Sequence, residues 1–136
     1  MPTITTPNPP LNIFDRASVN LTTSWQTVYE TPDYLIPADG PNPARTVEAV
    51  ALLTSMIVTN TDTETIEVSV RIDQGGTTFL VLDKLPVPQN DFALIEFGKQ
   101  NLPSGDAVQM LVETGQTATA HLSFVLNQRE SYTVIP

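Results

Sequence analysis

Cysteine is absent from all 136 residues. That removes disulfides, thiol nucleophiles and zinc–thiolate centres from consideration. Histidine occurs once, at His121, so any acid–base or metal chemistry would rest on a single imidazole with no nucleophile and orienting partner beside it in sequence. Basic residues are scarce: six Lys and Arg stand against 15 Asp and Glu, a formal net charge of -9. This balance opposes nonspecific binding to nucleic acid or to an anionic membrane, and favours solubility or a partner with a basic face. No apolar run approaches the roughly 20 residues of a membrane-spanning helix. The opening Met1–Pro7 carries neither the basic region nor the apolar stretch of a secretion signal. Phosphate-binding patterns are missing too: Gly75-Gly76 and Ser104-Gly105 read as turns, without a nearby lysine or a strand–loop–helix setting. Neither a cofactor nor a metal is expected.

What the chain does contain is alternation. Ile66, Val68, Val70 and Ile72 interleave with Glu67, Ser69, Arg71 and Asp73, one dry face and one wet. Gln74-Gly75-Gly76 then supplies a hairpin turn, because glycine accepts positive φ without a Cβ penalty, and Thr77–Leu85 returns as the partner strand. Further strands are predicted near Ser18–Thr22, Gln26–Glu30, Ala49–Thr59, Asp91–Phe97, Ala107–Glu113 and Ala118–Asn127. Ala49–Thr59 is read as one uninterrupted alternation, with Ala49, Ala51, Leu53, Ser55 and Ile57 on one face and Val50, Leu52, Met56 and Val58 on the other. Tyr34–Arg45, rich in proline, is read as a loop. Seven or eight short strands at this spacing predict an all-β fold, an antiparallel β-sandwich or jelly-roll-like domain. Residues 1–16, with prolines at 2, 7, 9 and 10, are read as an extended Pro-rich N-terminal arm. The sandwich is then 17–130, and 131–136 a C-terminal extension.

Three segments carry a resemblance: Trp25-Gln26-Thr27-Val28-Tyr29 followed by Pro32; Ile57-Val58-Thr59-Asn60-Thr61 before Ile66–Ile72; and Leu102-Pro103-Ser104-Gly105-Asp106 feeding Val108–Val112. Over about Ser18–Leu126 their order resembles small β-sandwich structural proteins of tailed bacteriophage particles, which serve as capsid decoration, neck, tail or fibre-associated components. The resemblance implies a non-enzymatic virion protein that stabilises a symmetric assembly, with other virion proteins or copies of itself as partners and the virion as its location. It carries no catalytic residues to transfer. The long Pro37–Pro43 loop and the Pro-rich arm depart from the compact pattern.

Two sets of site residues follow. Apolar residues in stretches read as strandless lose hydration free energy unless covered, so Ile4, Leu11, Ile13, Phe14, Val134 and Ile135 are interface candidates. Trp25, Tyr29 and Tyr34, beside Asp33 and Asp39, form the alternative: a carbohydrate-binding module that presents aromatic and acidic loop residues to a glycan, provided those aromatics are exposed.

Overall fold

A computed structural model describes residues 2–9 and 13–134 of the chain. The chain is an all-β sandwich of two packed sheets. In chain order the strands are β1 (Thr3–Thr5), β2 (Ile13–Asn20), β3 (Gln26–Glu30), β4 (Asp33–Ile36), β5 (Arg45–Asn60), β6 (Ile66–Gln74), β7 (Thr77–Val87), β8 (Phe92–Pro103), β9 (Ala107–Val112) and β10 (Ala118–Val134). One sheet runs β1-β4-β5-β10-β2. There β10 covers one edge of β5 along its length, while β4 and β8 lie end to end along the other. The second sheet runs β3-β9-β6-β7. Between them lies a core that includes Leu53, Met56, Val58, Val68, Val70, Met110, Val112 and Leu122, each fully buried.

The predicted β6–β7 hairpin is present, turning at Gly75 and Gly76, whose φ angles are 63° and 100°. Asp73 Oδ1 accepts the Gly76 N–H at 2.8 Å and tightens the turn. The sequence predicts that Pro86-Val87-Pro88 breaks this strand; instead Pro86 sits opposite Glu67, and β7 runs on to bury Val87.

Three further expectations change. The uninterrupted alternation of Ala49–Thr59 is broken at Thr54. Leu122 pairs with Met56 and Phe124 with Leu53, so β5 holds one residue more than β10 across that interval. The register against β8 also shifts between Leu53 and Ser55, but there β8 holds two residues more than β5. The bulge at Thr54 re-phases β5. Ala49, Ala51 and Leu53 point inward before it, and Met56 and Val58 after it, whereas the unbroken pattern places those two groups on opposite faces. Second, the stretch read as a loop from Tyr34 contains β4, which pairs with Arg45–Glu48 of β5. Third, the termini are not strandless. Thr3–Thr5 pairs in parallel with Asp33–Leu35, the boundary drawn at 16/17 falls inside β2, and Thr133 and Val134 continue β10 opposite Thr46 and Arg45.

The free edges are blunted in different ways. β1 is three residues long and lies between Pro2 and Pro7. β2 carries Asp15 and Arg16, β8 carries Glu96 and ends at Pro103, and short β3 stops before Pro32. β7 is bulged twice: Leu80 and Leu82 face the adjacent residues Arg71 and Val70, and Leu82 and Leu85 face Val70 and Val68. Lys84, with φ 54°, marks the second bulge, and its N–H donates to Ser69 Oγ at 3.0 Å.

Candidate interaction surface

Because strand side chains alternate, the outer face of each sheet is set by which residues the core claims. With Val70 and Ile72 buried, Arg71 between them faces outward. Its guanidinium lies 4.3 Å above the Trp25 ring centroid, and its Nε–H donates to Gln109 Oε1 on β9 at 2.6 Å. Gln109 Nε2 in turn donates to Thr27 Oγ1 on β3 at 3.3 Å. Trp25, expected to offer a loop platform, is therefore half-buried beneath an arginine on the face of the β3-β9-β6-β7 sheet.

The other platform residues lie elsewhere. Tyr34 is a core side chain, 2% exposed. Tyr29 is half-buried, its ring centroid 4.2 Å from that of Phe124. Burial pushes its phenol up to about 12; the Thr31 side chain pulls the other way, and Tyr34 and Asp15 add to the rise. The Thr31 hydroxyl itself donates to the Leu102 carbonyl at 2.9 Å. The Tyr29 hydroxyl is buried with no hydrogen-bond partner among the described residues. Burial, and then Asp15, raises Tyr34 as well. Asp33 is held in β4 opposite Glu48, and Asp39 closes a tight turn by exchanging backbone hydrogen bonds with Asn42 at 2.9 and 3.0 Å. These five positions do not converge on one exposed surface.

Of the predicted interface residues, Ile4 and Phe14 are exposed, Phe14 at 84%. Ile4 lines a cleft of about 230 Å³ with Pro2, Pro32, Tyr29, Phe124 and Leu126, rimmed by Asp15 and Glu30. Phe14 lines a second recess, with Thr54 and Ser123. Leu11 and Ile135 lie outside the described residues, as do the side chains of Ile13 and Val134.

Sequence reasoning missed the larger apolar exposure. Phe79, Leu80 and Val81 of β7 are 50%, 57% and 41% exposed in succession, which the bulge beyond Leu80 permits. On the outer face of the other sheet, Phe92 and Leu94 of β8 are exposed, and Ile57 lies opposite Leu94. Next along this row His121 pairs with Ile57, and Ser18 with His121. Ser18 Oγ and His121 Nδ1 are 2.7 Å apart. No signal in β7 alone separates these residues from core ones, because Thr77–Leu82 reads as a buried strand.

Among the described residues, no group of three or more His, Asp or Glu side chains is placed to hold a metal ion. Asp106, in the turn before β9, has its carboxyl raised by burial and then by the nearby charge of Asp73. No protein-family profile matches the chain, and no curated protein matches it significantly.

Proposed function

We propose that this chain is a non-enzymatic structural component of a tailed phage particle, joining a symmetric assembly through preformed surfaces of the sandwich. The observation that supports the reading is apolar exposure: Phe79-Leu80-Val81 on one sheet, and Phe92, Leu94 and Ile57 on the other. Burying three half-exposed side chains of this size contributes about 3 kcal/mol gross, too little for a lone stable dimer but effective when repeated around a ring or lattice. The blunted edges suit such a role, since they favour contact through side chains over open-ended strand addition. Glycan recognition is the weaker reading, because Tyr34 is buried and Trp25 is covered by Arg71.

The test is composition of the particle. Tailed particles from the host that carries this gene should retain the chain through density-gradient purification, at a copy number that is a fixed multiple of a symmetric ring or shell. Recovery of the chain only in the soluble fraction would sink the proposal.

A further inference from the structure

We infer that Arg71 is a preformed seat for a carboxylate carried by a neighbouring protein subunit. The assembly reading above supplies the idea of a neighbour, but the seat itself stands on separate observations. The first is immobilisation. An arginine on an open sheet face ordinarily samples many rotamers, and binding must restrict them. Here one face of the guanidinium rests on Trp25 at 4.3 Å, and Nε–H is fixed by Gln109 Oε1 at 2.6 Å. Thr27 Oγ1, accepting from Gln109 Nε2, sets which end of that amide faces the arginine. Three strands and the turn before β3 therefore hold one planar cation.

The second observation is what the cation lacks. Stacking and the Nε–H bond leave the two Nη groups without a hydrogen-bond partner among the described residues, and no Asp or Glu there comes within ion-pair distance of Arg71. This holds in a chain with 15 acidic residues and six basic ones, where an acid beside every arginine would be easy to supply. A guanidinium fork with free Nη groups matches the two oxygens of a carboxylate, and stacking leaves that match intact.

The third is the neighbour on the same face. Leu80 pairs with Arg71 across β6 and β7 and is 57% exposed. A carboxylate arriving on a protein surface brings apolar groups that can cover Leu80; a free small anion does not. The occupant is thus an aspartate or glutamate flanked by apolar residues.

The experiment uses the full chain labelled with 15N, following the Arg Nε–H and Trp25 indole N–H resonances. Two probes are added at matched ionic strength against sodium chloride: sodium glutarate and the capped tripeptide acetyl-Leu-Glu-Leu-amide. Arg71 and Trp25 should shift saturably, beyond anything seen at exposed Arg16, with the tripeptide binding more tightly. Arg71→Lys, checked for an unchanged melting temperature, should lose the Trp25 response. Gln109→Ala should weaken binding about fivefold, the effect of one lost positioning hydrogen bond. Equal responses at Arg71 and Arg16, or a Trp25 shift that survives Arg71→Lys, would overturn the seat. Tighter binding of glutarate than of the tripeptide would overturn the protein neighbour. None of these outcomes depends on whether the chain is found in a particle.

Discussion

Tyr29 shows how a single side chain can work against the fold that holds it. Its ring packs on Phe124, yet its hydroxyl is buried without a partner among the described residues, and an unmet buried hydroxyl costs about 1–3 kcal/mol. Tyr29→Phe keeps the ring contact and removes the unmet group, so it should raise stability by about 1 kcal/mol in urea unfolding. A pH signature accompanies it. The folded phenol is held up to about 12 against an ordinary 10.0; between those values the folded chain keeps a proton that the unfolded chain has released. Stability therefore falls as pH rises through this window. The decline should be shallower in Tyr29→Phe, and equal slopes for the two proteins would refute the assignment. None of this was legible in sequence, where Tyr29 offered an aromatic ring but no sign of which neighbours would surround it. Burial of Tyr34 was equally hidden, since it follows from the pairing of β4 with β5.

At the level of elements, legibility tracked the range of the interactions. The β6–β7 hairpin could be read because alternation and a Gly-Gly turn are local signals. Pairing of Thr3–Thr5 with Asp33–Leu35 could not, because nothing near Thr3 encodes a partner 30 residues away. The Thr54 bulge was invisible for a different reason: Leu52, Leu53, Thr54 and Ser55 suit either face of a strand. Its consequence is testable. Deleting Thr54 leaves Leu53 and Met56 two positions apart, so a regular strand keeps Ala49, Ala51, Leu53, Met56 and Val58 all on the inner face without a bulge. The deletion should therefore keep a cooperative thermal transition, as should Thr54→Ala, which keeps the backbone count and loses one hydrogen bond to Ser123 O; loss of cooperativity in the deletion alone would refute Thr54 as the extra residue of the bulge. The turn after β5 supplies a second case. Asn60 is buried, donates to the carbonyls of Glu64 and Val87 at 2.7 and 2.9 Å, and accepts the Asp62 N–H at 2.7 Å. The sequence marks Asn60-Thr61-Asp62 as a turn but not its tie to the end of β7. Asn60→Ala should cost about 2–3 kcal/mol, since three backbone groups lose their partner at once, as read by the urea midpoint.

For the molecule as a whole, charge and apolar exposure pull in opposite directions. A net charge of -9 repels like copies, while Phe79–Val81 and the Phe92–Leu94–Ile57 patch gain by being covered. Raising ionic strength from about 0.01 to about 1 M shortens the screening length from about 30 to about 3 Å, so repulsion fades while burial of apolar surface does not. Self-association of the purified chain, followed by sedimentation velocity, should therefore strengthen with salt. Phe92→Ser with Leu94→Ser should remove most of that gain if their sheet face forms the contact, and Phe79→Ser with Leu80→Ser if the β7 hairpin does. A contact dominated by Arg71 and a carboxylate predicts the reverse slope, because salt screens an exposed ion pair. The sign of the salt dependence thus decides which surface leads. Association that weakens with salt and ignores all four serine substitutions would show that the apolar patches are not what brings these molecules together.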